Sequence, residues 1–170
     1  YDDGSRAAVA ALGAIPIDYS MSRAGMNPVR DAMDLFKLAF LLRKLKPDAS
    51  FTYFIKPVIY GTLAARLAGI SKRYAMIEGA GYVFIEDTAS NWRRKLLRAF
   101  ATGLYRLGLS QANRVFMLNA DDKELFISEK MVCAEKVQLL NGIGLDLNHY
   151  RMTAPISQPF TFILVARLLR

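Results

Sequence analysis

The chain has 170 residues, of which 53% are hydrophobic, and it carries a formal net charge of +8. That hydrophobic fraction suffices for a folded core and excludes an intrinsically disordered chain. A single cysteine, Cys133, excludes a disulfide framework and fits a reducing compartment, where an idle thiol is the better interpretation than a nucleophile. No apolar run approaches the roughly 18 residues of a membrane span, and the amino end has no signal-peptide pattern, so a cytoplasmic location is expected.

The positive charge is concentrated in one part of the chain. No acidic residue lies between Asp87 and Asp121. The basic residues of this interval are Arg93, Arg94, Lys95, Arg98, Arg106 and Arg114. Such a segment suits a polyanion, and it is equally typical of a solvated helix face.

The first third of the chain predicts a helix over residues 3–12, a strand over 14–19 and a loop of turn-forming residues over 20–27. A second helix is expected from Pro28 to about Lys46, with Asn27 as its N-cap. The apolar arc of this helix, as expected for a helix that lies on a sheet, contains Val29, Ala32, Met33, Phe36, Ala39 and Phe40.

The rest of the chain alternates between strand and helix patterns. Strands are predicted over residues 49–55, 72–77, 114–118 and 137–140. Helices are predicted over residues 57–69, 91–107 and 120–129, the last with Asn119 as its N-cap and with Asp121 and Asp122 in its first turn.

Strands that are apolar on both faces and alternate with helices predict an α/β fold. We expect a Rossmann-like parallel sheet with helices on both faces. Ligands of such sheets bind at the carboxyl ends of the strands. The loops expected there are residues 20–27, 56–57, 78–81, 119–122 and 141–146.

An ordered set of motifs resembles the family 4 glycosyltransferases. The motifs are K-P-D at residues 46–48, E-G-A-G-Y-V-F at 78–84, F-M-L-N-A-D-D-K-E-L-F at 116–126, N-G-I-G-L-D-L-N-H-Y at 141–150 and L-V-A-R-L-L-R at 164–170. More narrowly, the chain is similar to bacterial enzymes of capsular, exopolysaccharide and lipid-linked sugar assembly. The resemblance implies a retaining hexosyl- or N-acetylhexosaminyltransferase with a nucleotide-sugar donor, here a UDP-sugar, and with no metal or other cofactor.

The resemblance also implies a domain organisation of the two-domain GT-B type. Residues 1–150 are expected to form the Rossmann-like acceptor-side domain, residues 151–159 a linker, and residues 160–170 the first strand of the nucleotide-sugar domain. The glycine-rich loop of the family is expected before Tyr1, and the paired glutamates of its second domain after Arg170. The segment by itself is therefore expected to be inactive.

Individual positions are carried over from the resemblance as binding residues. Donor contacts are expected from Arg167, Asn141, Gly142 and Gly144, and acceptor contacts from Arg23, Glu78, Gly79 and Gly81. A guanidinium at Arg167 suits a departing diphosphate. Simple turn geometry also accounts for the glycines, helix capping or solvation for Glu78, and an ordinary surface position for Arg23. Relatives often place a histidine in loop 78–81, but this chain has none there, so the catalytic residues stay unassigned.

The predicted helix from residue 91 is amphipathic. Arg94, Lys95, Arg98 and Arg106 fall on one side and are expected to meet an anionic membrane surface on the cytoplasmic side, where a lipid-linked acceptor would be found. The apolar side contains Trp92, Leu96, Leu97, Phe100, Leu104 and Leu107. This distribution is typical of an interfacial helix or of a helix that packs on its own sheet, and packing on the sheet is the expectation for the apolar side. Trp92 and Arg93, at the start of the helix, are also expected to meet the membrane.

Two other functions are compatible with parts of the pattern. A non-enzymatic basic module that binds membrane or RNA would explain the charge of residues 93–114, but it would leave the glycine loops without a role. No nucleic-acid partner is therefore expected. A sugar-nucleotide epimerase would share a similar architecture. The sequence has no phosphate-binding Walker loop, no G-x-G-x-x-G after a strand and no Cys/His metal spacing, and Asp121 and Asp122 are better explained as helix N-terminal charges than as metal ligands.

Overall fold

A computed structural model of the chain describes residues 3–21, 27–84, 92–142, 144–154 and 162. Helices and strands alternate along most of this length. The helices are α1 (Asp3–Ala11), α2 (Pro28–Leu45), α3 (Thr62–Leu67), α4 (Trp92–Ser110) and α5 (Ala120–Ser128), and the strands are β1 (Ala49–Tyr53), β2 (Lys72–Ile77), β3 (Arg114–Met117) and β4 (Val137–Leu139). A wide π-helical turn, Pro57–Gly61, precedes α3, and short 3₁₀ turns lie at Tyr82–Phe84 and Ala134–Lys136.

The four strands form one parallel sheet in the order β1-β2-β3-β4. Ile77 of β2 pairs with Met117 of β3, which pairs with Leu139 of β4, so these three strands end at the same level. The predicted α/β class and the parallel sheet are confirmed. The loops that follow these strands consequently lie side by side at one edge of the sheet.

One face of the sheet carries the core. Ala75, Ile77, Val115 and Met117 point to this face and belong to the same buried cluster as side chains from the helices. The helix and turn members of the cluster are Val58, Ile59, Phe84, Tyr105, Leu109, Phe126, Met131 and Val132. α4 packs tightly here, because a Cβ at Gly108 would lie 2.8 Å from the Cα of Ile59.

The opposite face shows a row of aromatic rings. The centroids of Phe51 and Phe116 are 6.1 Å apart, those of Tyr74 and Phe116 are 6.3 Å apart, and Phe51 is exposed. Strands in sequential order with right-handed connections place every connecting helix on the same face. Helices on both faces need a reversal of strand order, and the described strands contain none.

Local helix signals were read correctly. Asn27 caps α2, with its side chain accepting a hydrogen bond from the backbone N–H of Arg30, and Pro28 is the first helical residue. The side chain of Asn119 caps α5 in the same way. The predicted strand over residues 14–19 is wrong: this segment is described but is not part of the sheet, and a strand exists only through pairing with a neighbour.

The orientation predicted for α2 is also wrong. Its buried residues are Asp31, Asp34 and Ala39. Four residues of the predicted apolar arc are exposed instead, namely Val29, Met33, Phe36 and Phe40. The side of α2 that carries Asp31 and Asp34 faces inward because these carboxylates bind polar partners from other parts of the chain.

Two parts of the predicted organisation fall outside the described residues. Most of the linker predicted at residues 151–159 and nearly all of the donor-domain strand predicted at 160–170 lie there, and so does Arg167. Loop residues 22–26, which include Arg23, lie outside as well. The domain boundaries therefore remain predictions.

Candidate functional site

The loops after β1 to β4 meet at the edge of the sheet where the strands end, which we call the carboxyl edge. Its members are Lys56 after β1, residues 78–81 after β2, residues 119–122 after β3 and residues 141, 142 and 144 after β4. This is where a parallel α/β sheet binds ligands. It contains six of the predicted binding residues, namely Glu78, Gly79, Gly81, Asn141, Gly142 and Gly144.

Loop 78–81 is shaped by Gly81. The φ angle of Gly81 is +87°, and a Cβ at this position would lie 2.9 Å from Cδ1 of Ile55 in the segment after β1. Gly81 is therefore needed both for its backbone conformation and for the close approach of the two loops. Gly79, by contrast, has open space around it, since a Cβ there would meet nothing within 4 Å.

Glu78 stands free at the start of this loop. Its side chain is exposed and makes no hydrogen bond or ion pair with the residues that the structure describes. A carboxylate at the end of a central strand that is not used by the fold is available to accept hydrogen bonds from ligand hydroxyls. The helix-capping alternative for Glu78 is not supported, because no described helix is capped by its side chain.

Asp122 connects loop 78–81 to α5. Its Oδ1 accepts a hydrogen bond from the backbone N–H of Ala80 at 3.3 Å. Its backbone N–H donates to Oδ1 of Asn119 at 2.7 Å, and its Oδ2 accepts from Nδ2 of Asn119, also at 2.7 Å. The prediction that Asp122 is a charge in the first turn of a helix is confirmed, but the sequence did not indicate that it holds the neighbouring loop in place.

Asp122 also affects the buried core next to it. Burial first, and then the nearby Asp122 carboxylate, raise the pKa of Tyr105 above its ordinary value of 10.0. The phenol of Tyr105 therefore stays protonated. Tyr105 packs edge-on against Phe126, with ring centroids 5.0 Å apart, which fixes α4 against α5 behind the carboxyl edge.

The loop after β4 is exposed and open. Gly142 and Gly144 have φ angles of +104° and +85°, and a Cβ at either position would meet nothing within 4 Å. The backbone N–H of Leu140 donates to the carbonyl of Met117 at 2.8 Å, which extends the pairing of β4 with β3 to Leu140, directly before Asn141. These glycines are required by turn geometry, and the same geometry leaves their backbone accessible at the carboxyl edge. Their predicted donor contacts remain predictions.

A polar cluster with two buried carboxylates, Asp31 and Asp34, lies at the start of α2, next to Lys56 in the loop after β1. Oδ1 of Asp31 accepts from Nζ of Lys56 at 2.7 Å, and Asp31 is only 3% exposed. Oδ1 of Asp34 accepts from the hydroxyl of Ser20 at 2.6 Å. Burial first, and then Asp31, raise the pKa of Tyr60 from 10.0 to about 12.

Sequence analysis missed this cluster. Its members are far apart in the chain. In the sequence, Asp31 and Asp34 look like ordinary charges near the start of a helix, and only the structure shows that they are buried. Lys56 compensates the charge of Asp31, and this ion pair holds Lys56 at the carboxyl edge. Asp34 has the hydrogen bond from Ser20, and its Oδ2 is buried without a hydrogen-bond partner among the described residues.

The basic side predicted for α4 does not act as one free surface. Arg98 forms an ion pair with Glu129 at 2.8 Å and lies over the Phe84 ring. Arg106 donates from Nε to the carbonyl of Lys130 at 2.9 Å and from a terminal nitrogen to the carbonyl of Glu129 at 3.0 Å. Both arginines join α4 to the end of α5, but only Arg98 is paired with a carboxylate, so the charges of Lys95 and Arg106 stay available for an anionic surface.

The apolar side predicted to pack on the sheet is mostly exposed. The residues that α4 buries are Thr102, Tyr105, Gly108 and Leu109. Trp92, Leu96, Phe100 and Leu107 are exposed, so that part of the prediction is wrong. Thr102, Tyr105, Gly108 and Leu109 face the core because α4 crosses the π-helical turn at close range through Gly108.

Two further residues, Cys133 and His149, could carry other chemistry. Cys133 is exposed rather than buried. His149 makes an edge-on ring contact with Tyr150, with centroids 4.7 Å apart. Within the described ranges, no three His, Cys, Asp or Glu side chains converge as a metal site.

No protein-family model matches the chain. Two curated bacterial proteins are similar to it. One, from Campylobacter jejuni subsp. jejuni serotype O:2, is N,N'-diacetylbacillosaminyl-diphospho-undecaprenol alpha-1,3-N-acetylgalactosaminyltransferase, 29% identical over 139 residues, which are 82% of this chain and 36% of the relative. The other, from Escherichia coli, is UDP-Gal:alpha-D-GlcNAc-diphosphoundecaprenol alpha-1,3-galactosyltransferase, 30% identical over 119 residues, which are 69% of this chain and 29% of the relative.

The chain thus spans about a third of the length of the curated relatives it matches. Both relatives are glycosyltransferases whose names specify lipid-linked sugars, and they confirm the predicted resemblance at that level. None of the helices in the described part of the chain is long and apolar enough to cross a membrane.

Proposed function

We propose that the chain is the acceptor-side part of a glycosyltransferase that moves a hexosyl or N-acetylhexosaminyl group from a UDP-sugar to a lipid-linked acceptor in bacterial surface polysaccharide synthesis. The observation that carries the proposal is the match over most of the chain to two enzymes named for transfer to diphosphoundecaprenol-linked sugars. The carboxyl edge supports it, because it presents an unused carboxylate and open glycine backbone in adjacent loops.

The site divides into two roles. Glu78, Gly79 and Gly81 contact the acceptor, with Glu78 accepting a hydrogen bond from a sugar hydroxyl. Arg23 holds an acceptor phosphate. Asn141, Gly142 and Gly144 line the donor side, where positive-φ glycines let backbone N–H groups approach a bound diphosphate.

Arg167 completes the donor side, in the manner of family 4 enzymes of the GT-B type. Its guanidinium contacts the diphosphate, whose charge grows as it leaves, and transfer proceeds with retention and without a metal. Replacing Arg167 by alanine is expected to lower kcat/KM for the donor by about 10²- to 10³-fold, as loss of such a contact typically does.

The protein is further proposed to work at the cytoplasmic face of the cell membrane as a peripheral protein, because a lipid-linked acceptor is held there. The basic segment around Lys95 suits an anionic surface. The two relatives support a lipid-linked acceptor in kind but not the particular sugar, which we leave open between galactosyl and N-acetylgalactosaminyl donors.

The direct test is a transfer assay with the protein that carries this segment. UDP-galactose and UDP-N-acetylgalactosamine are offered together with short-chain polyprenyl-diphosphate sugars, and the product is analysed for anomeric configuration with and without a chelator. Transfer with retention that resists chelation is expected. Hydrolysis or epimerisation of the donor without an acceptor would favour an epimerase, and RNA binding with no use of nucleotide sugars would favour a basic binding module.

A further inference from the structure

The orientation of α4 is fixed by the core. Thr102, Tyr105, Gly108 and Leu109 face inward, and Gly108 meets the backbone of Ile59. At 100° per residue, the residues on the opposite side fall within an arc of about 80°. This arc contains Trp92, Leu96, Phe100, Gly103, Leu107 and Ser110. We call its four large apolar members, Trp92, Leu96, Phe100 and Leu107, the α4 apolar stripe.

The stripe is open along the whole helix. Trp92 is 68% exposed, Leu96 63%, Phe100 45% and Leu107 53%. Four large apolar side chains at helical spacing on one outward face exceed the scattered hydrophobic residues of an ordinary surface. The face behind the stripe is already used by the core, so rotation of the helix cannot bury it.

Basic residues border the stripe on both edges. Lys95 and Arg106 lie on one edge of the arc and Arg93 on the other, and α4 contains no acidic residue. The hydrogen bonds of Arg106 go to carbonyl oxygens rather than to a carboxylate, so its charge is not cancelled by them. The guanidinium of Arg93 lies 5.5 Å from the centroid of the Trp92 ring.

We propose that the α4 apolar stripe inserts into the interfacial layer of a bilayer that contains anionic lipid, with Lys95, Arg106 and Arg93 at the level of the headgroups. Charge complementarity selects this occupant, because an apolar face bordered by cations matches acyl chains beneath anionic headgroups. A tryptophan at one end agrees with the preference of that side chain for the membrane interface. The inference rests on the proposed function in that a lipid-linked acceptor gives the contact its purpose.

Insertion can be followed without a label, since Trp92 is the only tryptophan among the 170 residues. The chain is mixed with vesicles of phosphatidylglycerol and phosphatidylcholine and with vesicles of phosphatidylcholine alone. We expect a blue shift of Trp92 fluorescence and its quenching by brominated acyl chains with the anionic vesicles, and a much smaller change with the neutral ones.

The discriminating variant is Leu96→Glu combined with Phe100→Glu, which places charge in the stripe and leaves every flanking base unchanged. Its matched control is Leu67→Glu, because Leu67 on α3 is 53% exposed, the same as Leu107. Cosedimentation with anionic vesicles should fall at least about tenfold for the double variant and change less than about twofold for the control. Circular dichroism verifies that both are folded.

Equal sedimentation of the double variant and the control, or absence of the Trp92 shift in the unaltered chain, would overturn the inference. A dimer that the double variant converts to monomer, with no vesicle binding, would assign the stripe to a second copy of the chain instead. Transfer to a water-soluble acceptor analogue separates the two proposals: it should survive in the double variant, and its absence in the unaltered protein would count against the proposed function alone.

Discussion

Among the glycines of the carboxyl edge, Gly81 is the one whose replacement the structure constrains most clearly. A Cβ there would stand 2.9 Å from Ile55 on a backbone with φ of +87°, whereas a Cβ at Gly79 would meet nothing. We expect Gly81→Ala to lower the free energy of unfolding by about 1 to 3 kcal/mol, and Gly79→Ala to change it by less than about 0.5 kcal/mol. Urea denaturation of the two variants measures the difference, and equal midpoints would contradict the described loop.

Tyr60 gives a prediction of pH dependence. Its pKa is raised in the folded protein to about 12. The folded state therefore keeps the phenol proton between pH 10 and pH 12 while the unfolded state releases it. The stabilisation is complete below pH 10 and is lost as the pH rises through 12.

Comparison with Tyr60→Phe isolates this contribution. A pKa difference of one corresponds to about 1.4 kcal/mol, and solvent around the partly exposed Tyr60 side chain reduces the effect. Between pH 9 and pH 12 the unaltered chain should therefore lose about 1 to 2 kcal/mol of stability relative to the variant. Urea titrations at both pH values measure it. Parallel pH profiles for the two proteins would contradict the raised pKa that burial and Asp31 give Tyr60.

Single residues also show where sequence reasoning ends. Asn27, Pro28 and Asn119 were predicted correctly because capping depends on neighbours in the chain. Asp31 and Asp34 were not, because their partners Lys56 and Ser20 are brought to them only by tertiary packing.

Among elements, α5 matters for the site because its first turn supports the loop after β2. Asp122→Ala removes the acceptor of the Ala80 N–H and should speed hydrogen exchange of that amide by about tenfold, in line with the loss of one hydrogen bond of about 1 to 1.5 kcal/mol. Asp121→Ala is the control, because the carboxylate of Asp121 makes no such bond among the described residues. Unchanged exchange at Ala80 in the Asp122 variant would mean that the loop is held by its own glycines.

The two long helices show a shared limit of pattern reading. α2 and α4 were both recognised as amphipathic, yet each exposes large apolar residues of the predicted apolar side and buries residues from another side. Periodicity gives the existence of an apolar face, whereas the face that meets the core depends on steric fit, as at Gly108, and on charge partners, as at Asp31. The observed orientation of α4 also changes the hypothesis that its basic side meets the membrane. Arg98 and Arg106 contact residues at the end of α5, and the α4 apolar stripe faces outward.

At the scale of the whole molecule, the parallel sheet with its flanking helices was predictable, whereas the face that carries the described core was not. Strand positions and their parallel pairing follow from apolar runs separated by helices. The sequence analysis expected helices on both faces, whereas the described core lies on one face and the row of Phe51, Tyr74 and Phe116 lies on the other. Strand order decides this, and strand order is not encoded in any local pattern.

The carboxyl edge was predictable as a location because parallel strands end together. Its internal contacts were not, since the bond from Ala80 to Asp122 joins residues that are 42 positions apart. Arg23 and Arg167 lie outside the described residues, so their roles rest on the resemblance and stay predictions.

The central claim, that the carboxyl edge is the acceptor site of a glycosyltransferase, is tested most directly at Glu78. In the transfer-competent protein, Glu78→Gln should lower kcat/KM for the lipid-linked acceptor by about 10- to 100-fold, the effect of losing one hydrogen bond to a charged group, with the urea midpoint unchanged. Glu124→Gln, at an exposed position on α5, should leave kcat/KM as it is. If the Glu78 variant transfers sugar as well as the Glu124 variant does, the acceptor does not bind at this edge and the account is contradicted.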